Sequence, residues 1–215
     1  MFIGHFAIAL GAKKSAKKVS LGTLVIAVQF LDLLWPLLLI FGVEHFRIVP
    51  GITASSPFDF YDYPISHSLL MSIVWGLLIG GLYYIVRRNT QGAMIIAACV
   101  VSHWILDFLT HRPDMPLTPG ATSYIGLGLW NSVPATVIVE AILFLVGIIL
   151  YVRTTKAVDA VGKYAFWLFV GFLAIMYALS IGSVPPNEAS IGWGGLSMWL
   201  FVPWGYWIDR HRRVE

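Results

Sequence analysis

The alternation of apolar and polar stretches divides the chain into six long apolar runs, near 20–42, 67–86, 91–110, 133–152, 163–183 and 191–209. Each is close to the ~20 residues that a helix needs to cross the ~30 Å hydrocarbon core of a bilayer. The pattern therefore predicts an all-α integral membrane protein of about six transmembrane helices. A further apolar run, MFIGHFAIALGA at 1–12, is too short to span. Its positive charges, Lys13, Lys14, Lys17 and Lys18, follow the apolar segment, the reverse of a signal peptide. It is expected to be an uncleaved half-helix that dips into the bilayer or packs on the first span, carrying His5.

Composition agrees with the pattern. The chain is 58% hydrophobic and 12% charged, where soluble domains run near 25% charged. The net charge of +3 does not indicate nucleic-acid binding, because the basic residues are parcelled out at the ends of apolar runs. With the Lys13–Lys18 segment on the cytoplasmic side, that side also takes Arg87, Arg88, Arg153, Lys156, Lys163, Arg210, Arg212 and Arg213. Of the 14 Lys and Arg, only Arg47 and Arg112 are left outside. The expected topology is a multi-pass protein of the inner (cytoplasmic) membrane with its C-terminus in the cytoplasm. It forms one transmembrane domain, 1–215, with site-bearing helices in 1–152 and two further spans of structural role in 153–215. The lone Cys99 cannot form an intramolecular disulfide. The outer loop 43–66 is read either as a lid or as an interfacial anchor, and Gly76 and Gly80 as a close helix-packing motif. Nothing in the sequence sets an oligomeric state.

Ionisable residues inside apolar runs are costly and mark functional sites by default. Asp32 lies in the first run, His67 opens the second, His103, Asp107 and His111 follow one another at i, i+4 and i+8 in the third, and Glu140 lies in the fourth. That i, i+4, i+8 spacing places three groups on one stripe of a helix. At ~1.5 Å per residue, Asp32, His103 and Glu140 come to similar depth, with Asp107 ~6 Å above them and His67 and His111 near the outer interface. His5 can approach the lower level. Imidazole and carboxylate together suit a divalent metal, Zn first, with Mn or Fe as alternatives. His67, His103, Asp107 and His111 are the expected ligands, with His5 as a further one. Asp32 and Glu140 are expected as general base or as groups that orient the ligands.

Several of these residues carry a family resemblance. Gly4-His5 near the start, Asp32 in the first span, His67-Ser68 opening the second, and His103 to Asp107 leading to a Pro-rich turn resemble the YdjM-like inner-membrane proteins. The resemblance covers about residues 1–120. It implies a membrane-bound metal-dependent hydrolase. Two motifs are reduced here: Gln29-Phe30-Leu31-Asp32 has one carboxylate fewer than the family's acidic stretch, and Tyr63-Pro64-Ile65-Ser66-His67-Ser68 lacks the His and Arg that open the family's second motif. Both departures favour one metal over two. The expected function is hydrolysis of a lipid or phosphoester substrate resident in or near the membrane, in a cavity open to the outer side. The alternatives are a proton- or ion-coupled transporter, whose polar path would continue to the cytoplasmic face, and a structural protein whose polar groups hydrogen-bond helices together. No HExxH or phosphate-binding glycine loop is present.

Overall fold

A computed structural model describes residues 1–215. Five helices are long and apolar enough to cross a membrane: α2 (Leu21–Ile40), α4 (Leu69–Arg87), α5 (Thr90–Thr110), α6 (Val133–Thr154) and α7 (Ala160–Ser180). The protein is a multi-pass helical membrane protein. Each of these helices opens on a side chain that accepts a backbone N–H of its first turn: Ser20, Ser68, Asn89, Ser132 and Asp159, respectively. The caps lie at the edges of the apolar runs, so polar punctuation and hydrophobic length set the same boundaries.

The last apolar run differs from the expected continuous helix. It is built in pieces: α8 (Glu188–Gly195), a 3-10 segment (Leu196–Leu200) and α9 (Phe201–Arg210). The reason is local. Gly192, Gly194 and Gly195 lower helix propensity, and Gly195 lies against the ring of Pro36 in α2, where a Cβ would come within 2.6 Å of Cγ. The composite runs antiparallel to α2 along its whole length, from Gly192 beside Ile40 to Gly205 beside Gly22.

The short run at the start forms α1 (Ile3–Ala12), and it lies at the centre of the molecule. It packs on α2, α5 and α6 and touches α7. Gly147 of α6 admits it: a Cβ there would lie 2.6 Å from the Ala7 carbonyl oxygen. At the foot of α1, Lys13 is buried with its Nζ 2.9 Å from Asp209 of α9. This end, also tied by β5 (Thr155–Ala157) paired with β6 (Arg212–Val214), is called lower. The opposite, upper end carries the antiparallel hairpin β1 (His45–Ile48) and β2 (Phe58–Asp62), the single turn α3 (Pro64–His67) and a small pair, β3 (Met115–Pro116) with β4 (Tyr124–Ile125).

α4 and α5 form a tight pair, joined through Arg88, whose φ of 50° turns the chain in the left-handed region. Gly76 and Gly80 face α5, where Cβ atoms would lie 2.9 Å from the Ala97 oxygen and 2.7 Å from the Ala93 oxygen. This close approach brings α3, just above α4, over the upper half of α5.

Candidate metal centre

Four elements deliver side chains to one point in the upper half of the bundle. α2 supplies Asp32. Pro36 has no N–H, so the helix loses the hydrogen bond that would tie the Asp32 carbonyl. α3 supplies His67, set inward by the break at Ser68, whose extended backbone (φ −79°, ψ 150°) separates α3 from α4. α5 supplies His103 and Asp107 from successive turns. α1 supplies His5, whose ring stacks on that of His103 at 3.7 Å and 5°.

The potential ligand atoms form two overlapping groups sharing His103: His5 with His103 and Asp107, and Asp32 with His67 and His103, each within 4.8 Å. Around His103 the distances are short. Its Nε2 lies 3.0 Å from Asp107 Oδ2 and 3.6 Å from Asp32 Oδ1. His67 Nε2 lies 3.4 Å from Asp32 Oδ1 and 3.9 Å from Asp107 Oδ2. A tetrahedral ion with ligands at ~2.0–2.1 Å has edges of ~3.3 Å, close to the His103–Asp107, His103–Asp32 and His67–Asp32 separations, although Asp32 and Asp107 fall in different groups.

The outward nitrogens decide which tautomer each ring adopts. His103 Nδ1 lies 2.6 Å from the Val28 carbonyl oxygen, which can only accept, so Nδ1 carries a proton and Nε2 is the nitrogen left to bind an ion. His67 Nδ1 lies 2.7 Å from Ser66 Oγ, and Ser66 donates its own proton to Glu44 Oε2 at 2.5 Å. His67 therefore also donates from Nδ1 and turns Nε2 toward Asp32 and Asp107. Glu44 is fixed by further hydrogen bonds from the backbone N–H groups of Ile65 and Ser66. Two imidazole Nε2 atoms thus turn toward two carboxylates, and His103 Nε2 has no hydrogen-bond partner although fully buried. Asp32, His67 and His103, with Asp107 beside them, are a donor set that fits a divalent cation.

Asp107 has two faces. Oδ2 is turned to His103 and His67, while Oδ1 accepts from His5 Nε2 at 3.1 Å and lies 2.5 Å from the Met1 nitrogen. His5 then orients Asp107 from behind. Asp32 has the most exposed side chain of the set, at 24%, where those of His103 and Asp107 are at most 3%. The open side of the cluster is the side of Asp32.

Two expected members stand apart. His111 is in neither group. α5 ends at Thr110, and His111 has extended backbone (φ −66°, ψ 147°) just before Pro113, so the i+8 relation is broken. Its Nδ1 lies 3.0 Å from Asp114 Oδ1, and its ring packs 4.2 Å from Trp130. Next to it, burial first and the Asp114 carboxylate second push the Tyr63 phenol well above its ordinary pKa, so its O–H donates to the Asp114 carbonyl. Glu140 sits at the head of α1, where Oε2 accepts the backbone N–H groups of Phe2 and Gly4. It satisfies the helix N-terminus.

Glu44 and Ser66 were not among the candidate residues. The only signal for Ser66 was adjacency to His67, and Glu44 is one of three carboxylates, with Asp59 and Asp62, in its loop.

A cavity of ≈ 370 Å³ adjoins the cluster. Met1 and Phe2 form its floor beside Asp107, and Asp32, His67, His111 and Glu140 line its wall. Phe58 and Phe60 of the hairpin also line it, and Phe60 packs against His111 at 4.9 Å. No family model matches the chain, and neither a curated protein nor a solved structure matches it.

Proposed function

We propose that the protein is a membrane-embedded, metal-dependent hydrolase acting on a substrate resident in the bilayer. The observation that carries this reading is the convergence of the His67 and His103 Nε2 atoms and the Asp32 and Asp107 carboxylates. His67, His103, Asp32 and Asp107 would hold one divalent ion, zinc first on the chemistry of two imidazoles and two carboxylates. Such an ion supplies Lewis acidity and an activated water at neutral pH. Val28 and the Ser66–Glu44 pair hold the two rings in the tautomer that ligation needs. Asp107 is held from behind by His5. Asp32, the exposed carboxylate, is placed to accept a proton from water entering from the cavity. His111, with its Nδ1 held by Asp114, is placed on the cavity wall to pass a proton to a leaving group.

The chain's earlier resemblance to YdjM-like proteins points the same way. Against a transporter, the path below the cluster is filled by buried Phe6, Leu10, Leu24 and Ile96. We read the α8–α9 composite as a sixth crossing, since it accompanies α2 from end to end. We read the lower end as cytoplasmic, in the inner membrane, because the Lys and Arg residues collect there.

Elemental analysis of the detergent-purified protein tests the proposal. About one equivalent of Zn, Mn or Fe is expected, and loss of metal in His103→Ala and in Asp107→Asn. A folded wild type that holds no metal and cannot be loaded would overturn it.

A further inference from the structure

Beyond the cluster, the cavity is lined by hydroxyl groups. Ser55 and Ser56 come from the loop between β1 and β2, Thr136 from α6, Ser180 and Ser183 from the end of α7 and the turn after it, and Ser190 from α8. A serine or threonine hydroxyl offers one proton and two lone pairs. Here most of the protons are already committed. Ser180 Oγ donates to the Tyr177 carbonyl at 2.8 Å, Ser183 Oγ to the Ser180 carbonyl at 2.9 Å and Ser190 Oγ to the Asn187 carbonyl at 2.6 Å. Thr136 Oγ1 directs its proton to the Leu129 and Ser132 carbonyls, both at 2.9 Å. What these four side chains keep for a ligand is oxygen lone pairs, so they call for proton donors.

Two further residues of the lining call for the opposite. Trp35 Nε1 and Tyr177 Oη are proton donors with no hydrogen-bond partner, in residues only 8% exposed. An unmatched buried donor is costly, so an acceptor brought to it is favoured. A phosphoryl or ester oxygen only accepts, and an ammonium only donates. A hydroxyl does both, and a ligand that carries several of them answers both kinds of group. Phe58, Phe60 and Trp130 line the same cavity. Flat aromatic rings suit the C–H face of a sugar better than an open chain.

We propose that the cavity holds the uncharged glycosyl headgroup of a lipid. The sugar hydroxyls donate to Thr136, Ser180, Ser183 and Ser190 and accept from Trp35 and Tyr177. Binding of the headgroup stands on these groups alone. Its place as part of the substrate rests on the metal-centre reading. Tyr177, Ser180, Ser183 and Ser190 all lie in 153–215, so the later part of the chain selects the headgroup and does more than support the fold.

The test uses the full-length protein in a polyoxyethylene detergent, which brings no sugar of its own, and follows tritiated hexadecyl β-glucoside by scintillation proximity. Unlabelled hexadecyl β-glucoside is expected to compete about tenfold or more better than its tetra-O-methyl derivative, which keeps ring and chain but has no hydroxyl to donate. Hexadecylglycerol, without the ring, and methyl β-glucoside, without the chain, are expected to compete less well than the parent. Ser180→Ala/Ser190→Ala and Tyr177→Phe are each expected to weaken hexadecyl β-glucoside about fivefold or more, with metal content unchanged. Tyr177→Phe removes a hydroxyl that has no partner, so it should melt no lower than the wild type, and it serves if the serine variant does not fold. A methylated glucoside, hexadecylglycerol or methyl β-glucoside equal to the parent, or both variants binding as the wild type does, overturns this proposal and leaves the metal centre standing. A wild type that holds no metal yet shows these preferences overturns the metal centre and leaves the headgroup site.

Discussion

At the scale of single residues, the site depends on which ring nitrogen faces inward. His67 is held by a relay through Ser66 to Glu44, a carboxylate buried to 1%. Groups that orient a metal ligand typically contribute 10–100-fold to affinity. Glu44→Ala is therefore expected to weaken Zn²⁺ binding by about that factor, measured by competition with a chromogenic chelator. Glu44→Gln, which keeps an acceptor for Ser66, should recover part of the loss, whereas equal loss in both would argue that Glu44 serves only the loop. His103, Asp107, Asp32, His67 and His5 were legible in the sequence because an ionisable group in an apolar run is costly enough to demand a purpose. Glu44 was illegible because carboxylates in loops are ordinary, and only the fold shows this one buried. His111 was misplaced for a different reason. The i+8 spacing assumed that α5 continued, and the chain leaves the helix at His111 instead.

Among the elements, α1 is the part whose position the sequence left open, between dipping into the bilayer and leaning on the first span. It does neither alone, because Gly147 gives it a seat on α6 in the middle of the bundle. Gly147→Leu would drive a side chain into the Ala7 backbone. Overpacking of this kind costs about 1–3 kcal/mol, so a lower melting temperature in detergent is expected. Since His5 rides on α1, bound metal should fall as well. A variant that melts earlier yet binds metal as the wild type does would show that α1 supports the fold without supporting the site. The α4–α5 pair was easier to foresee, because two glycines four residues apart in an apolar run have few other uses. The pieces of the last apolar run were not, since hydropathy measures length and is blind to the contact between Gly195 and Pro36.

Over the whole molecule, orientation follows from the distribution of basic residues and can be tested directly. Cys99 is buried at 3% and should stay silent. Ala54→Cys, in the loop between β1 and β2, is expected to react with a membrane-impermeant maleimide on intact cells. Lys18→Cys should react only after permeabilisation. The opposite pattern would invert the topology and put the cavity on the cytoplasmic side. The multi-pass helical architecture and the polar cluster were both readable before the fold, because a bilayer penalises length and charge so severely. A cavity on the outer side was expected, but its full lining was not readable, because it is bounded by side chains from both halves of the chain.

The half-length of α1 has a consequence of its own. A helix of ten residues rises only ~15 Å, about half the thickness it stands in. It acts as a stopper pushed halfway into a bottle: sealed below, hollow above, with the His and Asp cluster where the stopper ends. The floor of the hollow is then set by counting residues. One extra turn of α1 above its anchor at Lys13 would raise that floor by ~5.4 Å and carry His5 past Asp107. In this protein a site's depth in the membrane is gauged by the length of a helix too short to cross it.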